Sequence, residues 1–255
     1  MIPRLTSNLL NAPHGFFGRE GGVSEGIFAS LNGSLHSGDE LEPVTENRQR
    51  MTEALGAEHV LTAKQTHSAR AILVGEPFPP DQRPEADALV TGKAGLAVGV
   101  LAADCVPVLF DGGDLVAAAH AGWRGSLGGI LEATVALMEA EGVARENLRA
   151  AIGPHLRGSH FEVREDLLSE VTAKYPDADQ FFTKKDAEHW HYDHTGFVRA
   201  RLIEAGISDD LIADTGGNTL AEPQRFFSYR AACHAGEKQF GHNLSAIVPG
   251  VARPA

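Results

Sequence analysis

Residues Cys105–His120 read CVPVLFDGGDLVAAAH, and this stretch decides how the chain is expected to fold. Two β-compatible runs flank the dipeptide Gly112-Gly113, which is a signal for a two-residue hairpin turn. A turn at this dipeptide would place Cys105 directly opposite His120. Directly opposed side chains share a face of the sheet, with Cβ atoms roughly 4.5–5.5 Å apart. The hairpin therefore predicts that a thiol and an imidazole lie within reach of one metal ion.

Pro107 leaves a second register open. Proline has no N–H to donate to the ladder, so within a sheet it favours an edge strand or a bulge. A bulge at Pro107 would shift the pairing by one residue and turn Cys105 toward the opposite face of the sheet.

The segments on either side of the hairpin predict one mixed α/β domain over residues 1–255. The predicted helices are Pro43–Leu55, Ser126–Ala140, Glu165–Lys174 and Gly196–Ala205. The predicted strands are Val60–Thr62, Ala71–Val74, Leu96–Leu101, Trp190–Tyr192 and Phe226–Tyr229, whereas the glycine-rich residues 14–35 are read as loops. Because strands and helices alternate irregularly and hairpins are present, mixed sheets are favoured over a doubly wound parallel sheet.

The composition indicates a globular protein with an acidic surface. Of the 255 residues, 34 are acidic and 22 are Lys or Arg, which gives a formal net charge of −12. Such a surface repels a phosphate backbone, so nucleic acid is not an expected partner. No apolar run approaches the roughly 20 residues that span a bilayer, so we expect no membrane association.

The cysteine count and the N-terminal residues predict a cytoplasmic location. Cys105 and Cys233 are too few for a disulfide framework, which favours a reducing compartment. Residues 1–7 lack a continuous apolar core of signal-peptide length. In a reducing compartment, a cysteine near histidines is more often a metal ligand or a nucleophile than part of a disulfide.

His67, Cys105 and His120 are the candidate metal ligands and catalytic residues. Catalytic zinc sites have three protein ligands, usually nitrogen or sulfur, and keep a fourth position for water or substrate. Two imidazoles and one thiolate fit that set. Because the spacing matches no short zinc-finger signature, the alternative that these residues are only structural stays open.

A glycine-bracketed loop containing Arg124 follows His120 and leads into a predicted helix. Unpaired N–H groups and the helix dipole favour an anion at such a place. The expected ligand is inorganic phosphate or a substrate carboxylate, with Arg124 as its charge partner. The alternative is that Gly122 and Gly125 permit a tight turn and that Trp123 packs in the core.

His189, His191 and His194 form a second histidine cluster. Alternation along a strand would place His189 and His191 on one face. Because solvated histidine-rich loops are common, we favour a surface role over a second metal site.

Short motifs follow one another along nearly the whole chain. They are His14-Gly15-Phe16-Phe17, Gly21-Gly22-Val23-Ser24, Ser30-Leu31-Asn32, Asn47-Arg48, Lys64-Gln65-Thr66-His67, Ala86-Asp87-Ala88-Leu89, Ala103-Asp104-Cys105-Val106-Pro107, His120-Ala121-Gly122-Trp123-Arg124-Gly125, Ile152-Gly153-Pro154 and Phe226-Phe227-Ser228-Tyr229-Arg230. Together they resemble the laccase-domain family, once called multicopper polyphenol oxidases and now regarded as purine nucleoside phosphorylases. The family includes bacterial members that resemble peptidoglycan editing factors.

This resemblance implies a fold, a metal and an activity. The fold would be a four-layer α/β/β/α sandwich of the cysteine hydrolase-like type. The metal would be zinc, with copper as an alternative, at His67, Cys105 and His120. The activity would be phosphorolysis of adenosine, inosine and methylthioadenosine, which yields the free base and ribose 1-phosphate or its methylthio analogue. Adenosine deamination would be a further activity.

The implied partners are purine nucleosides and phosphate, and four more residues are candidate contacts. Arg124, together with Arg48, would position phosphate beneath C1′ of the ribose. Gln65 and Asp87 would bind polar groups of the purine or the sugar.

The chain departs from the family pattern at two places. The family often has cysteines after the Ile-Gly-Pro segment and before Phe226. Here those regions read His155-Leu156-Arg157 and Gly216-Gly217-Asn218, which leaves the substrate preference open.

Three other functions stay open at this point. A copper polyphenol oxidase would fit the older family label, although one His/Cys/His set provides few ligands for several coppers. A cysteine amidase editing peptidoglycan precursors would use metal-free Cys105 with a histidine base. A non-enzymatic protein would bind a nucleoside without turnover.

Overall fold

The computed structural model describes residues 2–250, which form fourteen strands and six α-helices. The strands are β1 (Arg4–Leu5), β2 (His14–Phe17), β3 (His59–Thr62), β4 (Ala71–Leu73), β5 (Ala88–Thr91), β6 (Leu96–Ala102), β7 (Val106–Asp111), β8 (Val116–Ala121), β9 (Arg149–Ile152), β10 (Glu162–Arg164), β11 (Phe182–Lys184), β12 (His189–Tyr192), β13 (Ile212–Asp214) and β14 (Asn243–Ile247). The helices are α1 (Leu41–Leu55), α2 (Trp123–Gly128), α3 (Ile130–Ala140), α4 (Glu165–Lys174), α5 (His194–Glu204) and α6 (Tyr229–Ala235).

The strands form three sheets. Their orders are β13-β9-β7-β8-β5-β4, β1-β2-β14-β6-β3 and β10-β12-β11. The pairs β13/β9, β4/β5 and β3/β6 are parallel, and the other pairs are antiparallel. The predicted mixed α/β class is therefore confirmed.

Alternate residues of β7 and β8 enter two different hydrophobic cores. Val108 and Phe110 belong to a core covered by α3 and α5, whereas Leu109 belongs to a core shared with the five-stranded sheet. Because successive side chains of a strand point to opposite faces, a strand buried on both faces has a continuous apolar sequence. A third core packs α1 on the outer face of the five-stranded sheet. The finer assignment to a four-layer, cysteine hydrolase-like type stays a prediction.

The hairpin register differs from the prediction. Pro107 pairs with His120 and Asp111 pairs with Val116, so the turn spans the four residues 112–115. The predicted direct pairing of Cys105 with His120 is wrong, because two extra residues belong to the turn. The shift is an even number of residues, so it keeps the predicted face, and Cys105 becomes a diagonal neighbour of His120 just before β7.

Pro107 lies in the ladder without a bulge. Its carbonyl accepts a hydrogen bond from the N–H of Gly153, 2.9 Å away. A non-proline residue at position 107 would donate its backbone N–H to the carbonyl of Gly153. This carbonyl instead accepts a hydrogen bond from Nδ1 of His155 at 2.8 Å. The side chain of His155 thus compensates for the donor that the proline lacks.

Several predicted elements have different bounds. The predicted helix Ser126–Ala140 is two helices, α2 and α3, because Gly129 lies between them at φ 102°. Helix α2 begins at Trp123, so Arg124 lies in its first turn and not in the predicted loop. The predicted strand at Phe226–Tyr229 is wrong: Ser228 caps α6 by accepting from the N–H of Ala231, and the last strand is β14. The residues read as loops include β2. Helix α4 has the predicted bounds.

Within residues 2–250, no helix combines the length and the apolar character needed to cross a membrane.

Candidate metal centre between two cavities

The three predicted metal ligands converge. His67 lies in the loop between β3 and β4, Cys105 immediately precedes β7, and His120 lies in β8. One potential ligand atom from each lies within 4.8 Å of the others, and Cys105 Sγ is 3.9 Å from His67 Nε2. His67 is exposed, Cys105 is half-buried and His120 is buried. Segments from different parts of the chain therefore bring two imidazoles and one thiol together beside the ends of the central strands β7 and β8.

Asp87 accepts hydrogen bonds from both candidate histidine ligands. Its Oδ1 atom accepts from the backbone N–H of His67 at 3.0 Å and from His120 Nδ1 at 2.9 Å. Its Oδ2 atom accepts from the backbone N–H groups of Thr66 and Ser68 at 3.1 and 2.7 Å. Because Nδ1 of His120 is engaged, its other ring nitrogen is free to bind a metal. A carboxylate behind a ligating histidine is a recurring feature of metal sites.

The charge of Asp87 is stabilised by these bonds. Burial opposes its ionisation, but hydrogen bonds from His120 and Ser68 outweigh burial and hold the pKa of Asp87 well below its usual range. The side chain has no exposed surface. Asp87 is predicted to contact substrate. In the structure its carboxylate oxygens already accept hydrogen bonds from the His67 loop and from His120 of β8.

Two residues at the centre have left-handed backbone conformations. His67 has φ 60° and Asp104 has φ 90°. Non-glycine residues rarely adopt such angles unless their surroundings hold them there. Asp87 holds the His67 loop, and the carboxylate of Asp104 accepts from Thr219 Oγ1 at 2.5 Å and from the Arg230 N–H at 2.6 Å. The ligand geometry is therefore imposed by the fold.

Gly122 leaves the space that the three side chains occupy. A Cβ atom at this position would lie 2.8 Å from Cδ2 of His67 and 3.1 Å from Sγ of Cys105. The absence of a side chain at Gly122 thus allows imidazole and sulfur to approach each other. Two imidazole nitrogens and one thiolate, with a carboxylate behind one imidazole, form a set of side chains able to hold a metal ion.

The thiol and the buried imidazole favour the charged pair. Burial opposes ionisation of Cys105, but His120 and His67 outweigh burial and lower the pKa of the thiol to about 6. Burial likewise opposes protonation of His120, but Cys105 and Asp87 outweigh it and raise the pKa of His120. A thiolate is the form of cysteine that binds a metal or attacks an electrophile.

Two cavities meet at the centre. The larger, about 660 Å³, is lined by the three candidate ligands and also by Tyr229, Phe240 and His242. The smaller, about 250 Å³, is lined by His67, Cys105 and Tyr229 together with Trp123, Arg124, Phe161 and Arg230. The shared walls are formed by His67, Cys105, Tyr229 and Ala103. Ligands in the two cavities would therefore meet beside the candidate metal ligands.

Gln65 and Arg48 bind backbone groups around the larger cavity. Gln65 lines that cavity, but its amide donates to the carbonyl of Leu101 at 2.7 Å and accepts from the N–H of Leu101 at 2.8 Å. The guanidinium of Arg48 donates to the carbonyls of Gly33 and Val60, both at 3.0 Å. Burial lowers the pKa of Arg48 to about 10, still above neutral pH.

Arg124 is exposed at the smaller cavity. Its guanidinium carbon lies 4.1 Å from the centre of the Trp123 ring, a cation–π arrangement that fixes its direction. Trp123 is half-buried and packs against the core that contains Leu127 and Tyr192, so the alternative in which Trp123 packs in the core holds in part. The guanidinium is thus available at the wall of the cavity.

Residues outside the predicted site also line the two cavities. Tyr229 is 53% exposed, its ring centre is 5.2 Å from that of Phe240, and Phe240 is 4.8 Å from His242. Arg230 lines the smaller cavity. The Phe226–Arg230 motif was a signal for this region, but its interpretation as a strand hid the fact that Tyr229 and Arg230 begin a helix.

The second histidine cluster is dispersed. Nδ1 of His189 is 2.9 Å from a carboxylate oxygen of Asp186. His194 is buried with Nε2 3.0 Å from Ser126 Oγ, so the predicted surface role is wrong for His194. Within residues 2–250, the group of metal-ligand side chains that converges is His67, Cys105 and His120.

The fold and the site define a mixed α/β protein with a candidate two-histidine, one-cysteine metal centre between two cavities. The family model described as multi-copper polyphenol oxidoreductase laccase matches residues 13–249. The chain belongs to this family.

Relatives named purine nucleoside phosphorylase are similar to this chain over most of their length. A protein of Deinococcus radiodurans named purine nucleoside phosphorylase is 35% identical over 236 residues, which are 90% of this chain and 87% of the relative. A purine nucleoside phosphorylase of Corynebacterium glutamicum is 36% identical over 222 residues, which are 84% of this chain and 87% of the relative.

Solved structures share the fold. The hypothetical protein YfiH of Bacillus licheniformis has a TM-score of 0.86 and 30% identity, covering 93% of this chain and 92% of that chain. A Neisseria meningitidis protein has a TM-score of 0.84 and 31% identity, covering 97% and 99%.

Proposed function

We propose that this protein is a zinc-dependent purine nucleoside phosphorylase that acts on adenosine, inosine and methylthioadenosine. The observation that carries the proposal is the convergence of His67, Cys105 and His120 where two cavities meet. A reaction between a nucleoside and phosphate needs two adjoining binding places of different chemistry. Relatives named purine nucleoside phosphorylase support the same activity.

His67, Cys105 and His120 would hold the metal. When bound, zinc would supply Lewis acidity, which polarises a substrate oxygen or lowers the pKa of a water. Copper is the alternative, because a site of this kind binds Cu²⁺ by raw affinity. Asp87 would orient both histidines through the hydrogen bonds described above.

Phosphorolysis exchanges one bond at C1′ of the ribose. An oxygen of hydrogen phosphate bonds to C1′ while the bond from C1′ to the base nitrogen breaks and its electron pair leaves with the base. The proton of hydrogen phosphate ends on the base, so the products are ribose 1-phosphate and the neutral purine. Arg124 would hold the phosphate, and holding the two reactants together removes much of the entropic barrier.

Gln65 and Arg48 would act on substrate binding through the backbone they position. Gln65 ties the His67 loop to Leu101 of β6. Arg83 lines the larger cavity, and Arg48 is close enough to Arg83 for the two charges to interact. Arg48 would therefore add positive potential beside that cavity. Adenosine deamination would use the same centre, with water replacing the amino group at C6 and ammonia leaving.

A cysteine amidase is the second candidate function. The lowered pKa of Cys105, with His120 as neighbour, favours it in the metal-free protein. The metal content of the active form separates the two functions, because a zinc-bound thiolate is a poor nucleophile.

The test is to incubate the zinc-loaded protein with inosine or adenosine, with and without phosphate. We expect ribose 1-phosphate and free base only when phosphate is supplied. Cys105→Ser is expected to lose both zinc and activity, whereas Cys233→Ser, an exposed cysteine in α6, is expected to keep both. Inosine formed from adenosine without phosphate would indicate deamination.

Three results would count against the proposal. Zinc-loaded protein that forms no product from either nucleoside, with or without phosphate, would overturn it. Peptide cleavage by the metal-free protein would then favour the amidase. Polyphenol oxidation by copper-loaded protein alone would favour the oxidase.

A further inference from the structure

The smaller cavity has the chemistry of an anion site. Two arginines, Arg124 and Arg230, line it together with His67 and Cys105. The chain has a net charge of −12, so a cavity with two arginines differs from the surface as a whole. Local positive charge in a cleft concentrates small anions.

Aromatic faces rather than carboxylates hold the two guanidiniums. Arg124 lies 4.1 Å from the ring centre of Trp123, and Arg230 lies 5.9 Å from that of Phe161. Arg230 also makes long contacts of 3.4 and 3.5 Å with the carbonyl of Glu162. In the described part of the chain, the arginines that form ion pairs are Arg50, Arg145, Arg157, Arg199, Arg201 and Arg225. The charges of Arg124 and Arg230 are therefore available to a ligand.

Asp104 fixes Arg230 without neutralising its guanidinium. The carboxylate of Asp104 lines the same cavity, but it accepts from Thr219 Oγ1 and from the backbone N–H of Arg230. The carboxylate thus ties the start of α6 to the segment that carries Cys105. The side chain of Arg230 is left to face the cavity.

The sizes of the cavities separate the two substrates. A volume of about 250 Å³ is below the range of roughly 300–1,000 Å³ that is usual for small-molecule sites, whereas about 660 Å³ lies inside it. Phe240, next to Tyr229, gives the larger cavity an aromatic ring on which a purine could stack. In the smaller cavity, by contrast, the guanidiniums of Arg124 and Arg230 lie over the rings of Trp123 and Phe161. The smaller cavity suits phosphate, and the larger suits the nucleoside.

We propose that inorganic phosphate binds in the smaller cavity between Arg124 and Arg230, so that Arg230 is a second phosphate-binding residue and the nucleoside reaches the centre from the other side. The proposal rests on the proposed function, because it names where each substrate of that reaction binds. A forked guanidinium donates two parallel hydrogen bonds to phosphate, which fixes its orientation as well as its position.

Arg83 is the competing phosphate ligand. It lines the larger cavity, where its guanidinium lies 2.9 Å from His36 Nδ1 and donates to the carbonyl of Pro80 at 3.1 Å. Phosphate bound there would place both substrates in one cavity.

The experiment compares Arg230→Gln, Arg124→Gln and Arg83→Gln with the wild type. Arg230→Gln and Arg124→Gln are each expected to raise KM for phosphate by about 10-fold or more. The Kd for inosine, measured by calorimetry without phosphate, is expected to change less than about 2-fold, because the nucleoside binds elsewhere. The charge control is Arg164→Gln, an exposed residue of β10, which is expected to leave both constants unchanged.

A second readout is independent of turnover. Phosphate that binds the folded state raises the midpoint of thermal unfolding. We expect this rise in the wild type and in Arg164→Gln, and its loss in Arg230→Gln. If the wild type shows the rise but forms no product from nucleosides, the phosphorylase proposal fails and the phosphate site stands.

Opposite results overturn the phosphate site. An unchanged KM and an unchanged thermal rise in folded Arg230→Gln would remove Arg230 from the site, and an effect confined to Arg83→Gln would move phosphate to the larger cavity. Should Arg230→Gln fail to fold, Arg230→Lys keeps the charge and loses the forked donor. That variant is expected to raise KM for phosphate by about 3-fold or more, and an unchanged KM would contradict the proposal.

Discussion

At the scale of single residues, Asp87 connects two of the three candidate ligands. One of its oxygens binds the ring of His120 and the backbone of His67, and the other binds the backbone on either side of His67. The sequence predicts that Asp87 contacts substrate, and a carboxylate within a short motif gives no indication of its burial. Asp87 is buried and accepts hydrogen bonds from Thr66, His67, Ser68 and His120, which place it behind the candidate ligands, and its contact with substrate stays a prediction.

Gly122→Ala tests whether close approach of the side chains is needed for metal binding. The added Cβ would lie 2.8 Å from the ring of His67, so the imidazole must move away from Cys105. We expect zinc affinity, measured by competition with a chelating dye, to fall by roughly 10-fold or more.

Gly75→Ala is the matched control for that substitution. A Cβ at Gly75 meets nothing within 4 Å, so its zinc affinity should equal that of the wild type. Wild-type affinity in folded Gly122→Ala would show that the centre tolerates the displacement and would contradict the expectation.

At the scale of elements, the β7–β8 hairpin and the α2–α3 break position the centre. The hairpin turn has four residues, yet the even shift keeps Cys105 diagonal to His120. Gly129, at φ 102°, ends α2 and lets α3 pack on the six-stranded sheet. A continuous helix from residue 123 onward would place Arg124 and α3 along one axis, so the break lets α2 carry Arg124 at the cavity while α3 packs on the sheet.

Gly129→Ala tests this break. An L-residue at a positive φ is disfavoured by about 1–2 kcal/mol, so the free energy of unfolding in urea is expected to fall by that amount. Gly128→Ala is the control, because it lies in a helix and its Cβ meets Ala69 at an ordinary 3.5 Å. Equal stability of the two variants would contradict the requirement for glycine at 129.

At the scale of the whole molecule, buried neutral histidines make stability depend on pH. Burial lowers the pKa of His155 to about 4, with Arg157 acting in the same direction. Burial also lowers the pKa of His242 to about 4 and of His194 to about 3. Each folded histidine binds a proton less readily than its unfolded counterpart, so stability is full above pH 6.5 and falls as the pH is lowered through that value.

The expected effect of His155 alone is a loss of about 2 kcal/mol in unfolding free energy between pH 7 and pH 5. Denaturant titration at the two pH values measures it. His155→Gln, which cannot titrate, is expected to lose correspondingly less over the same interval. An identical loss in the variant and the wild type would contradict the assignment.

The candidate ligand residues and the fold class could be predicted from the sequence because both depend on local patterns of residues. Apolar periodicity, helix bounds such as those of α4, and the ligand types at His67, Cys105 and His120 depend on neighbouring residues in the chain. The mixed α/β class followed from these local patterns and is confirmed.

By itself, the sequence determined which side chains can bind a metal, and that a hairpin carries two of them. Only the tertiary structure decided the register, the support from Asp87, the entry of Arg230 and Tyr229, and the division of the pocket into two cavities. These features depend on contacts between loops far apart in the chain. Packing of the two large sheets and their helices sets those contacts, and no local pattern of residues encodes them.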